Sequence, residues 1–281
     1  MRKVHVAWSA GMLAVGLAAG CAAEVGAGDE TTTSDAEQLT FTPSATSASY
    51  AWSPSVGNTV TMTDEGTTVC FLTEVFGLFR DVNDRIRIQK TPTNWLLNGT
   101  VGANEGWPGG RARCLNLGSG MGWSGAYTWS AGQAATDLGS SSNRACYLVE
   151  VAGKFDNVAD TVRTRISGGH WWLDGGTNSG SAVARCVSGV GIFGSSQTVV
   201  GEGEIVELFV NSSANGPRAC FLTQVGGLLM GLKVLPWLPP QGAANIATYP
   251  YQAGNTAYPY VMQVNSNSAG VNAIGGTRCI Q

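Results

Sequence analysis

Three groups of residues in this 281-residue chain have types and spacings that invite a chemical reading. The first is Gly122-Trp123-Ser124-Gly125-Ala126, which comes near the G-x-S-x-G elbow of serine nucleophiles, with His170 as the one histidine outside the N-terminal segment. That elbow works on a strand-to-helix turn in an α/β setting. Ser124 sits in a Gly-rich linker between strand-like runs, so no catalytic residue is expected. The second group is Asp81, Asn83 and Asp84, echoed by Asp156, Asn157 and Asp160. Oxygen ligands at this density suit Ca²⁺, but the spacing differs between the copies. Asp84 and Asp160 each precede an arginine, Arg87 and Arg163, by three residues, which predicts local ion pairing instead. The third group is aromatic: Trp172, Trp237, Tyr249, Tyr251, Tyr258 and Tyr260. Rigid amphipathic rings beside Asn and Asp suit recognition of sugars or protein surfaces, and these six are the candidate ligand-binding residues.

What must position them is written three times. Cys70-Phe71-Leu72-Thr73-Glu74-Val75 returns as Cys146-Tyr147-Leu148-Val149-Glu150-Val151 and as Cys220-Phe221-Leu222-Thr223-Gln224-Val225. Each copy is answered downstream, by Ala112-Arg113-Cys114, Ala184-Arg185-Cys186 and Thr277-Arg278-Cys279. A period of this kind decides architecture before any local reading. It also selects one of the fifteen ways of joining six cysteines: Cys70–Cys114, Cys146–Cys186 and Cys220–Cys279. No CxxC occurs, which argues against a metal centre, and no phosphate loop or dinucleotide fingerprint is present. No cofactor is expected.

If each cysteine pair faces across neighbouring antiparallel strands, the next residues pair as Phe71–Arg113, Tyr147–Arg185 and Phe221–Arg278. Cross-strand neighbours interact, so each arginine is expected over the aromatic ring opposite it. Glu74, Glu150 and Gln224 share one position, where an arginine partner or a capped loop backbone is expected and the Gln shows that charge is dispensable.

Within a repeat four strands are expected. The first begins at the cysteine. The second is Arg85–Ile88 or Thr161–Thr164, the third Asn94–Leu97 or His170–Leu173, and the fourth runs into the second cysteine. Turns are expected at Asn98-Gly99 and Asp174-Gly175. Tyr50-Ala51-Trp52 and Tyr127-Thr128-Trp129 form lead-ins. Trp95 and Trp171 match between repeats and are expected in the core. Repeat three differs, with prolines and tyrosines from Leu228 to Pro259 that read as an enlarged, exposed loop.

The fold class that follows is all-β: three pseudo-equivalent disulfide-closed β units packed as one body over residues 39–281, with repeat cores near 69–117, 145–189 and 219–281. Each unit of about 75 residues would bury too little surface alone; three separate small domains is the alternative.

Residues 1–20 have the build of an export signal, with Arg2 and Lys3 ahead of an apolar run too short for a membrane span. Residues 21–38 follow as a tether with five acids and no base, too poor in apolar residues to order itself. From Leu39 onward acids and bases balance at fourteen each, which argues against a nucleic-acid partner.

Ala18-Ala19-Gly20-Cys21 resembles the lipobox of bacterial lipoproteins, departing from it with Ala18 where Leu is usual. The resemblance implies lipidation of Cys21 and a membrane partner through that anchor. The tandem Cys-Phe-Leu-Thr-x-Val-x-Gly and Ala-Arg-Cys phrases resemble repeats of uncharacterised myxobacteria-type exported proteins. That likeness implies a place in the cell envelope, outer membrane or surface, and no particular activity. The expected function is non-catalytic binding of a glycan or a partner protein. The alternatives are a disulfide-stabilised envelope spacer, and a secreted hydrolase or enzyme inhibitor.

Overall fold

The computed structural model describes residues 49–64, 66–104, 106–117, 121–157, 159–176, 180–200, 205–208, 219–229, 244–250, 260–265 and 273–280. The export signal, Cys21, the tether, Trp237, Tyr251 and Tyr258 lie outside them.

Among the described residues each repeat has six strands. Repeat one has β1 (Tyr50–Trp52), β2 (Val60–Asp64), β3 (Thr68–Leu78), β4 (Arg85–Lys90), β5 (Asn94–Thr100) and β6 (Trp107–Asn116). A two-residue strand, β7 (Gly122–Trp123), follows. Repeat two has β8 (Tyr127–Ser130), β9 (Thr136–Ser140), β10 (Arg144–Ala152), β11 (Thr161–Ser167), β12 (His170–Gly175) and β13 (Ser181–Ser188). Repeat three has β14 (Ile192–Val200), β15 (Ile205–Leu208), β16 (Ala219–Gly227), β17 (Ala244–Pro250), β18 (Tyr260–Asn265) and β19 (Ala273–Ile280). No helix occurs among the described residues, so the body is all-β as its Val, Thr and aromatic runs require.

The three sheets do not correspond to the three repeats. One runs β1-β6-β3-β17-β18-β15, the next β2-β5-β4-β10-β13 with β7 and β8 on its edge, and the third β14-β19-β16-β11-β12-β9. Each repeat therefore gives three strands to one sheet and three to the next. Repeat one completes the sheet of repeat two, two completes three, and three returns to complete one. The expectation that each disulfide closes the sheet of its own repeat is corrected here. The bond does join the two cysteine strands of a repeat, β3 to β6, β10 to β13 and β16 to β19, but the hairpin between them has left for the neighbouring sheet. This exchange makes one compact unit of Phe41–Gln281.

All three expected disulfides form, each across directly opposed residues with Cα atoms 4.0 Å apart. The cysteine strands β3, β10 and β16 meet at the centre. Phe71, Tyr147 and Phe221 are each at most 2% exposed, and their ring centroids lie 6.1, 5.9 and 5.3 Å apart. Eight residues on, Phe79, Phe155 and Leu229 close a ring of backbone hydrogen bonds. Phe79 donates to Leu229 at 2.9 Å, Leu229 to Phe155 at 3.1 Å, and Phe155 to Phe79 at 3.0 Å. The pseudo-threefold axis runs through these two layers.

Just past that ring, the chain crosses from one sheet to the next, and the acidic loops make the crossing. The Asp84 carboxylate is fully buried and accepts N–H groups from Arg80 (2.6 Å), Asp81 (2.8 Å) and Gly102 (2.8 Å). Asp160 accepts those of Asp156 (3.0 Å) and Asn157 (2.9 Å). Ion pairing with Arg87 and Arg163, expected from spacing, does not occur. Those arginines reach Asn98 and Asp174 across their own hairpins. No cluster of three potential metal ligands is found among the described residues. The aspartates organise backbone.

Two further expectations change. Asn98-Gly99 and Asp174-Gly175 lie within strands, not in turns. The glycines are needed there because a Cβ would stand 2.2 Å from the Trp52 ring at Gly99 and 2.7 Å from the Trp129 ring at Gly175. In repeat three, part of the supposed loop is strand β17, in the middle of its sheet. Its pairing with β3 ends at Ala247, so Pro250 meets only β18.

Candidate functional site

The third sheet carries a polar and aromatic cluster on the exposed face of β9, β12 and β11. Along β12, Trp171 and Leu173 are buried, whereas His170 is exposed and Trp172 and Asp174 are half-buried. Along β11, Val162 and Thr164 are buried and Arg163 and Arg165 half-buried. Strand alternation thus aims one set of side chains at solvent.

Two backbone devices set the geometry. Gly168 and Gly169, at φ of 59° and 76°, make the two-residue turn that joins β11 to β12 and sets Ser167 opposite His170. A register shift between Trp171 and Trp172 then bulges β9 at Leu138, placing Asp137 opposite Trp172. Gly139 follows at φ 95° and donates its N–H to Asp137 Oδ1 at 2.7 Å.

On this frame His170 Nδ1 lies 3.0 and 3.1 Å from the two Asp137 oxygens. Trp172 donates its Nε1–H to the Ser167 carbonyl at 3.0 Å, fixing the indole. The His170 and Trp172 rings are 6.4 Å apart and 33° from parallel. Arg165 donates Nε–H to Asp174 Oδ2 at 2.5 Å, and Arg163 donates to Oδ1 at 2.7 Å. The Gly139 N–H, and after it the His170 hydrogen bond, hold the Asp137 carboxyl below its ordinary value, so it is ionised at neutral pH. Asp137, Arg165, Ser167, Gly168, His170 and Trp172, with Ala135, line a shallow depression of about 420 Å³.

Trp172, one of the six residues singled out in the sequence, lines this depression; Trp237, Tyr251 and Tyr258 lie outside the described residues. Tyr249 and Tyr260 stand in strands rather than in an exposed loop. By register, Tyr260 occupies the position held by the fully buried Trp95 and Trp171 in the other repeats, the pair expected in the core. Asp137 and Arg165 were not foreseen as site residues, and His170 was weighed only as a base. The one available signal was the mismatch between Asn94-Trp95-Leu96-Leu97 and His170-Trp171-Trp172-Leu173.

Ser124 is bonded to β13 of the second sheet whereas His170 is on β12 of the third, and the two do not form a catalytic pair. The Ser124 hydroxyl accepts the Cys186 N–H at 2.9 Å and bonds the Gly125 carbonyl at 2.7 Å, and its backbone N–H donates to Cys186 O at 2.8 Å, so it splices an edge. Among the described residues no serine hydroxyl bonds His170.

The repeated arginines have the expected register, with Phe71 opposite Arg113, Tyr147 opposite Arg185 and Phe221 opposite Arg278. The stacking partner differs. Arg185 covers Trp95 at 5.6 Å and Arg278 covers Trp171 at 5.1 Å, each a tryptophan contributed by the preceding repeat. At the shared acidic position, Glu74 pairs with Arg111 at 3.3 Å and Glu150 with Arg85 at 3.1 Å, as expected. Burial raises the Glu150 pKa, against the pull of Arg85 and Arg87. Gln224 instead donates to Thr161 Oγ1 at 3.2 Å.

Compared with protein-family models, with curated proteins and with solved structures, the chain matches none.

Proposed function

We propose that this is an exported, non-catalytic binding protein, held to the cell envelope through Cys21, that recognises glycans on the exposed face of its third sheet. One observation carries the reading. The three sheets share a framework of disulfides, strand order and register, yet the row at the depression is not shared. On the third sheet it reads Asp137–Trp172–Arg165. At the equivalent positions the second sheet has Thr61–Leu96–Gln89 and the first Glu207–Val261–Tyr249. Packing demands apply to all three sheets alike, so they do not account for a cluster that one sheet alone holds. A fixed indole beside charged hydrogen-bonding groups is what a small polar ligand requires. Three buried disulfides fit the oxidising compartment outside the cytoplasm.

The test is a binding screen of the oxidised full-length protein against glycans and cell-wall polysaccharides, run beside Trp172→Leu. Leucine is the residue of the second sheet at that position, so folding should be kept. A saturable ligand lost on this substitution is expected. A ligand retained by the variant would move the site elsewhere, with Trp237 and Tyr258 next to substitute. Binding of nothing on the panel would defeat the reading.

A further inference from the structure

We infer that the depression takes a single neutral pyranose, seated flat on the Trp172 indole with one hydroxyl edge toward Asp137 and the other toward Arg165. This rests on the glycan-binding reading and adds the chemical class of the ligand.

The argument starts from what each end of the row can bind. Asp137 is an ionised carboxylate and only accepts hydrogen bonds. His170 and the Gly139 N–H occupy part of it, and a carboxylate has about four lone-pair sites. Arg165 only donates. Its Nε–H is engaged by Asp174, while its terminal nitrogens have no hydrogen-bond partner among the described residues. Acceptor and donor stand on the two strands flanking Trp172, so they are separated by two strand spacings, about 10 Å.

A ligand lying between them must donate at one end and accept at the other. A hydroxyl does both. A carboxylate would satisfy Arg165 and be repelled by Asp137. An ammonium would satisfy Asp137 and be repelled by Arg165. The charges beneath the ligand also balance, Arg163 and Arg165 against Asp174 and Asp137.

The floor supplies the rest. Trp172 presents an apolar ring locked by its bond to Ser167, and one face of a pyranose carries only C–H groups. A site of about 420 Å³ is at the small end of ligand pockets, which suits one sugar ring rather than a long chain laid in a groove. His170 completes the wall beside Asp137, at the ring spacing already given.

The experiment titrates the oxidised full-length protein with methyl glycosides of glucose, galactose and mannose, then of glucuronic acid and glucosamine, following tryptophan fluorescence and NMR shifts. At least one neutral hexoside should bind with one-to-one stoichiometry, ten-fold or more tighter than either charged sugar. Trp172→Leu, Asp137→Thr and Arg165→Gln should each weaken it ten-fold or more. All three introduce what the second sheet already holds at the same register, so thermal melting should be unchanged. Preference for the uronate or the amino sugar would overturn the neutral assignment while leaving glycan binding intact. Neutral binding that survives all three substitutions would overturn the seating on Trp172. Absence of binding to every glycan in both screens would defeat the functional reading as well.

Discussion

The guanidinium of Arg185 lies 5.6 Å from the centre of the Trp95 indole, although the two residues belong to different repeats. The same indole donates its Nε1–H to the Thr68 carbonyl at 2.9 Å, in its own repeat. Trp171 repeats the arrangement with Arg278 on its ring and Arg144 O at 2.8 Å from its nitrogen. One side chain thus ties the repeat that contributes it to the sheet it joins. Arg185→Leu should cost about 1–2 kcal/mol, the range of a partly desolvated cation–π contact, and leave a single unfolding transition. Urea denaturation measures both. Separate transitions for the repeats would contradict the exchange of hairpins.

Tyr147 stands among Phe71 and Phe221 with its hydroxyl buried and without a hydrogen-bond partner among the described residues. Tyr147→Phe should raise stability by about 1 kcal/mol, since an unsatisfied buried hydroxyl costs that much or more. Burial raises its pKa above the ordinary 10.0, with Arg185 opposing. The folded state therefore favours the protonated phenol, and stability is lost as pH rises past 10. The gain from Phe should widen from pH 9 to pH 11. A gain that stays flat would mean the hydroxyl is not desolvated.

Glu150 makes the same kind of test, within the acid range. Burial raises its pKa from 4.5, so its contribution is most favourable below the unfolded value and falls as pH climbs through the folded one. The stability of Glu150→Gln relative to the parent should therefore increase from pH 4 to pH 7, by calorimetry or denaturant titration. The reverse slope would show that Arg85 and Arg87 outweigh burial.

Gly175→Ala should destabilise by about 1–3 kcal/mol, the usual cost of overpacking. Its Cβ would stand 2.2 Å from the Thr161 carbonyl oxygen, on backbone that cannot give way, as well as against Trp129. Gly125→Ala, where nothing lies within 4 Å, is the control and should change melting little. Equal melting of the two variants would show that the Trp129 contact is loose.

The residues of this chain determined on their own the all-β class, the strand positions around each cysteine and the pairing of all six body cysteines. Those follow from local alternation and from the repeat, and both are written in short stretches. The exchange of hairpins was not legible, for a physical reason. When three repeats carry the same edge residues, β4 meets β3 or β10 with equivalent partners, and pattern alone favours neither. Tertiary structure decided it through the crossing loops, where Phe79, Phe155 and Leu229 bond in a ring and Asp84 and Asp160 hold the turning backbone. The candidate site was half legible for a related reason. Trp172 was legible as one of six candidate aromatics, but Asp137 is 35 residues from it in sequence. Only the bulge in β9 and the hairpin turn at Gly168-Gly169 bring carboxylate, indole and guanidinium into one row.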